Sequence, residues 1–200
     1  MQYNLSSKLT PATIIDTFNP YDDFFLVPYD REPLWENPSQ VIEMTMDMAN
    51  LGDGANYAFI NDVTYVRPKV PTLYSVLSSP ANMTTNPAIY GVNSNAFVLG
   101  HNEVVEIILN NNDPGKVRLS FDTKGRGHRR SLTSMFFIHG HTFQAIVRSD
   151  EDAGFYTTKD NATTGVDVPA VPMKRDTFMV RPNGHYVIRF RSDNPGVWLL

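Results

Sequence analysis

Val41-Ile42-Glu43-Met44-Thr45-Met46-Asp47-Met48 is the stretch that decides the fold. Ile42, Met44, Met46 and Met48 fall on one side of an extended chain and Glu43, Thr45 and Asp47 on the other, the period of two that marks a half-buried strand. Thioethers two apart on a strand face could serve monovalent copper, but a flexible thioether is chiefly a filler of core gaps, and we read them as core. The same texture recurs outward at 58–66, 96–99, 103–109, 142–148, 177–181 and 185–191, between loops such as Asn110-Asn111-Asn112-Asp113-Pro114-Gly115. Residues 71–77 alone offer helical spacing, with Leu73, Val76 and Leu77 at i, i+3 and i+4. Short strands without a long helix predict an antiparallel sandwich or barrel.

The chain has 200 residues, 42% hydrophobic and 19% charged, enough to bury a core and too apolar for disorder. Its net charge of -4 makes it, taken whole, no binder of nucleic acid. Cysteine is absent, which excludes disulfides, thiolate nucleophiles, zinc fingers and iron–sulfur clusters. No apolar run has the length of a signal peptide or a membrane span. Three sequons, beginning at Asn4, Asn82 and Asn161, carry meaning only on the secretory route.

Residues 1–38, broken by prolines at 11, 20, 28, 33 and 38, read as an extended linker packing against something, and 39–200 as one domain. Residues 116–130 hold six basic side chains against the single acid Asp122, a local charge of +5 that leaves -9 for the rest. Without interleaved aromatics to stack on bases, this run reads as a solvated insertion, at about 117–137, and not as a nucleic-acid patch. Arg175-Asp176 and Arg189 read as exposed or interdomain ion pairs, and His101, His128 and His185 as solvated. His139 and His141 stand two apart, and on a strand such a pair presents both imidazoles to one face and so to a metal, or else packs beside a glycine kink.

The words around that pair are informative. Asn56-Tyr57-Ala58-Phe59-Ile60-Asn61, Pro68-Lys69-Val70-Pro71-Thr72-Leu73 and Val104-Val105-Glu106-Ile107-Ile108-Leu109-Asn110-Asn111 are followed in order by Gly140-His141-Thr142-Phe143-Gln144, Arg175-Asp176-Thr177, Val187-Ile188-Arg189-Phe190 and Asp193-Asn194-Pro195-Gly196-Val197-Trp198. This succession, over 18–115 and 138–200, resembles the last plastocyanin-like domain of fungal multicopper oxidases, with the nearest likeness to iron-transport ferroxidases. The resemblance implies a Greek-key β-sandwich of cupredoxin type, incomplete at the C-terminus. It also implies copper as cofactor, with ferrous iron oxidised at the expense of dioxygen, an iron permease as partner, and a secretory or cell-surface location.

The same resemblance implies that His139 is one ligand of the family's trinuclear copper cluster, that Phe137 stands where a second belongs, and that Ser134 stands where the blue copper takes a histidine. The family's His-Cys-His segment would follow Leu200. This chain alone is therefore expected to bind little or no copper, with His139 and His141 a weak site at most, and to be inactive. The insertion reads as a retained intron, and the apolar faces near Val187, Phe190 and Trp198 as short of cover. Asp113 and Tyr57 fall where the ferroxidase branch binds iron, although Asp-Pro-Gly is also ordinary turn chemistry and Tyr57 an ordinary strand aromatic. A laccase-like phenol oxidase fragment, or a copper-free sandwich that binds through the basic loop, are the alternative readings.

Overall fold

The run Val104–Asn111 carries β-branched and aliphatic side chains on both faces and so belongs at the centre of a sheet. In the computed structural model, which describes residues 19–113, 118–121, 127–130, 134–157 and 168–200, it does lie there. Among the described residues the strands are β1 (Gln40–Asn50), β2 (Asn56–Ile60), β3 (Val104–Asn111), β4 (Arg118–Phe121), β5 (Gly127–Arg130), β6 (Ser134–Phe137), β7 (Phe143–Arg148), β8 (Lys174–Arg175), β9 (Thr177–Val180) and β10 (His185–Arg191), and one α-helix, α1, spans Thr72–Ser78. Six strands form one sheet in the order β2-β1-β3-β10-β7-β8, while β4–β5 and β6–β9 are separate ribbons.

One pairing departs from the antiparallel expectation, because β1 and β3 run parallel, Ile42 opposite Ile107. A parallel pair needs a long crossover, which the chain from β2 through α1 supplies. The predicted strand at 58–66 stops at Ile60, where Asn61 and Asp62 take φ of 51° and 62°. Asn61 closes that turn with its side chain, accepting from the Thr45 amide at 2.7 Å and donating to the Glu43 carbonyl at 3.0 Å. Residues 96–99 form no strand, whereas Ser134–Phe137 forms one by pairing with β9. Those four residues belong to the predicted insertion, parts of which, like residues 1–18, Asn4, Asn161 and the His128 side chain, lie outside the described residues.

The ribbon β6–β9 packs over the large sheet to close a two-layer core. Phe178 of β9 lies 5.2 Å from the Phe143 ring and 4.9 Å from Tyr186, among buried Ile42, Met44, Val105, Ile107 and Ile188. Met46 is buried with Ile42 and Met44, as the alternation of β1 requires, and Met48 is open at the strand's end. The other face of β3 and β10 gathers Ile108, Val187, Ile146, Val147 and Tyr156, and Leu34 of the N-terminal segment packs against it. Val187 and Phe190, expected to lack cover, are therefore buried, while Trp198 remains 44% exposed.

Residues 19–39 act as a strap held to this body by named polar contacts. Gln144 of β7 reads the strap backbone twice, accepting from the Trp35 amide at 2.9 Å and donating to the Pro33 carbonyl at 2.8 Å. Arg148 reaches Asp22 and Asp23, Arg175 reaches Asp23 at 2.6 Å, and Lys174 sits between Asp30 at 3.0 Å and Glu32 at 2.7 Å. The partner of Arg175 is thus Asp23 of the strap and not its neighbour Asp176. Arg189 is not an exposed ion pair either: its Nε donates at 2.6 Å to Glu106, which is 0% exposed, and its other arm donates to the Trp35 carbonyl. Removing one partner of such a pair leaves an uncompensated buried charge, at a cost of about 3–5 kcal/mol. His185, expected in solvent, has Nδ1 2.8 Å from the Gly154 carbonyl and its ring 5.1 Å from Tyr156.

Candidate functional site

The residues expected to bind substrate stand at one end of the large sheet. The loop from β1 to β2 turns on Gly52 and Gly54, whose φ of 92° and 85° suit glycine, and is closed by Asn50 and Asp53 side chains accepting from the Gly52 and Ala55 amides. This brings Tyr57 opposite Ala49 and lets its hydroxyl donate to Asp53 Oδ2 at 2.5 Å. The bond holds the Asp53 carboxyl below its ordinary value and pushes the Tyr57 phenol up, so the pair persists as phenol and carboxylate.

Asp113 arrives at the same end from the other side of β1. β3 keeps its parallel register to Asn111 opposite Met46, and Asn112 then donates its amide to the Met46 carbonyl at 2.8 Å and its side chain to Asp47 at 2.5 Å. The Asn111 side chain accepts from the Asp113 amide at 3.0 Å and fixes the turn. Tyr57 and Asp113 are two strands apart across β1, a lateral separation of roughly 10 Å at ordinary strand spacing. Phenol and carboxylate oxygens at one sheet end are hard donors that suit a small cation. Asp53 was not foreseen: a residue between two glycines is ordinary turn chemistry, and nothing in the sequence tells that its carboxylate reaches a residue four positions on.

The histidine pair is arranged differently from the strand expectation. His139 and Gly140 form a turn between β6 and β7, and Gly140 takes φ of +70°, so the alternation of a strand no longer governs residues 139 and 141. His139 stacks on Phe137 with centroids 4.8 Å apart, whereas His141 meets the edges of Phe190 and Trp198 at 5.3 and 5.9 Å. Trp198 lies close over Gly140, where an added Cβ would come within 2.8 Å of its ring, and Asn194 donates to the Gly140 carbonyl at 3.0 Å. His141 Nδ1 is 3.2 Å from the His139 carbonyl, and its buried Nε2 has no hydrogen-bond partner. Beside the turn, a cleft of about 520 Å³ runs between strap and body, lined by Trp35, His141, Lys174, Asp176, Arg191 and Asp193.

Residues 65–200 match the multicopper oxidase family. The whole chain aligns at 44% identity with the iron transport multicopper oxidase fetC of Epichloe festucae, and 99% of it at 41% with the iron transport multicopper oxidase FET3 of Saccharomyces cerevisiae. It spans 29% of the length of each of these relatives. The crystal structure of Fet3p, described as a multicopper oxidase that functions in iron import, superposes with a TM-score of 0.78 at 40% identity over 98% of this chain and 34% of that one. A laccase from Botrytis aclada, at 18% identity and a TM-score of 0.64, shares the fold. The all-β sandwich is thus of the cupredoxin type that the sequence words implied.

Copper is the cofactor of the matched family, and the donors described here do not fit it. A copper centre needs several nitrogen or sulfur donors converging on one point. Here His139 faces a phenyl ring, and His141 turns one nitrogen to the His139 carbonyl while the other is buried without a hydrogen-bond partner. Among the described residues no three of His, Cys, Asp or Glu come together as a metal-binding group.

Proposed function

The chain belongs to the multicopper oxidase family, and from that premise we propose that it is the plastocyanin-like part of an iron-transport ferroxidase, contributing Tyr57 and Asp113 to the binding of ferrous iron. The observation that carries this reading is identity of 41–44% along essentially the whole chain with two oxidases named for iron transport. The shared sheet end of Tyr57 and Asp113, with Asp53 beneath the phenol, supports it. Carboxylate oxygens favour ferric over ferrous iron, so binding there lowers the potential of the ion that gives up an electron. In the complete protein, electrons from ferrous iron would reduce dioxygen to water. An iron permease that accepts the ferric product, at the cell surface or along the secretory route, is the partner this reading implies. Residues 39–200 are proposed as the domain and 1–38 as the linker that enters it, and no step is assigned to His139 or His141.

The test is a transplant. Residues 40–113 of this chain, placed in the corresponding part of the yeast oxidase FET3, should give an enzyme that oxidises ferrous iron faster than phenols. Asp113→Ala should then lower kcat/KM for ferrous iron about tenfold, roughly 1.4 kcal/mol of transition-state stabilisation, and leave phenols unaffected. Equal loss on both substrates, or phenols preferred from the start, would favour the laccase reading instead.

A further inference from the structure

The outer face of the ribbon β6–β9 carries an uncommon set of side chains. Its strands pair antiparallel with Phe136 opposite Phe178, and these two rings stack at 5.7 Å against the core. The alternation of a strand then sends Met135 and Phe137 of β6, with Thr177 and Met179 of β9, to the other side. A sheet face open to water is ordinarily polar or charged. This one holds no charge, and Met135, Met179 and Phe137 are 67, 57 and 51% exposed.

Met135 and Met179 are moreover directly opposite one another. Facing residues of an antiparallel pair have Cβ atoms about 4.5–5.5 Å apart. Each thioether swings on several rotatable bonds, so two sulfurs rooted at that separation can turn toward one ion lying over the ribbon. The other described methionines are placed differently. Met44, Met46 and Met173 fill the core, while exposed Met48 faces Ala58 and exposed Met83 stands in a loop.

We propose that Met135 and Met179 form a binding site for a soft monovalent metal ion, copper(I) where the chain works, with both sulfurs as ligands. A thioether is a polarisable donor without charge or proton, and it favours monovalent copper over zinc, iron or divalent copper. No carboxylate stands on the ribbon face to draw a hard ion instead, and Phe137, one pair along, presents only carbon. The site makes neither of the family's copper centres, since it contains no imidazole and no thiolate. Two neutral donors at an exposed place hold an ion loosely, which suits copper in transit and not a permanent cofactor.

The full 200-residue chain tests this, with silver(I) in chloride-free buffer as a redox-inert probe and copper(I) under reductant without oxygen. In protein with isotope-labelled methionine methyl groups, the Met135 and Met179 resonances should shift together and stop at one equivalent of silver(I), while those of Met48 and Met83 stay in place. Competition with a chromophoric copper(I) chelator should show affinity at least about tenfold lower in Met135→Leu and in Met179→Leu, with little further loss when both are combined, because one sulfur makes no chelate. Leucine keeps the bulk and the apolar face, so the fold is left in place. His139→Ala and His141→Ala should leave the affinity unchanged. Binding that survives the double leucine substitution, or is lost in either histidine variant, overturns the site. A metal-free chain that runs as a dimer and is split by Met135→Glu would give this face to a second copy and overturns it likewise. The ferroxidase reading rests on other residues and another assay, the Asp113→Ala comparison, so none of these results bears on it.

Discussion

Phe137 and His139 show how one side chain decides what a histidine can do. Their rings stack at 4.8 Å, so the position nearest His139 is filled by carbon where a second nitrogen would make a chelate. Phe137→His should convert the stack into two adjacent imidazoles and tighten binding of divalent copper by at least about tenfold over the parent chain, read by competition with a chromophoric chelator. His139→Ala should abolish the gain and leave the parent's weak binding unchanged. Stoichiometric copper that survives dialysis of the parent chain and is lost in His139→Ala would show that the stack opens for metal. At this scale the sequence made Tyr57, Asp113 and His139 visible as candidates, because each sits in a recognisable word. It did not show that His139 and His141 part company, because a single positive φ at Gly140 undoes an inference built on strand alternation.

The strap is an element whose role the sequence only half declares. Its prolines and aperiodic aromatics announce an extended segment packed on something; the something became visible only as contacts to Gln144, Arg148, Lys174, Arg175 and Arg189, all distant in sequence. Asp22 is held below its ordinary pKa by the hydrogen bond from Arg148, and Asp30 and Glu32 by that from Lys174. A carboxyl depressed in the folded state stabilises fully above its unfolded value and loses that contribution as pH falls through the lower folded value. The strap should therefore loosen below about pH 4, and sooner in high salt, which screens exposed pairs. Lys174, raised chiefly by the hydrogen bond to Glu32, loses its share only in strongly alkaline solution. In a Trp198→Phe background, Trp35 emission reports the change: the acid shift should shrink when Asp22→Asn, Asp30→Asn and Glu32→Gln are combined. Emission indifferent to pH down to about 3 would mean that the contacts to the strap backbone from Gln144 and Arg189 hold it without the carboxylates. Among the strands, β1, β3, β7 and β10 were readable from period or continuous apolarity. Residues 96–99 and β6 were not, since their fate depends on the partners that tertiary structure offers.

Across the whole molecule, sheet order and chain order disagree in a useful place. β3 and β7 are successive strands of the large sheet in the sequence, yet β10 lies between them, and β4, β5 and β6, which come between β3 and β7 in the chain, belong to the two separate ribbons. β4 and β5, in that interval, pair only with each other among the described residues. The centre of the sheet is then a seam between two halves of the chain, β3 from the first and β10 from the second, joined by seven facing residue pairs from His185–Asn110 to Arg191–Val104. A chain severed once between β4 and β5, at a protease site placed in 122–126, should migrate as one particle on gel filtration and come apart only in denaturant. The two pieces, made separately, should be able to find each other. Mixing them should restore the buried environment of Tyr186, whose phenol burial pushes up to about 12, and with it the intact protein's near-ultraviolet dichroism. Pieces that elute apart without denaturant would mean that the covalent link, and not the seam, keeps the halves together. A single particle after that cut would make backbone continuity through the basic interval dispensable to the architecture, and the sandwich would then tolerate new ends, or an inserted passenger, there.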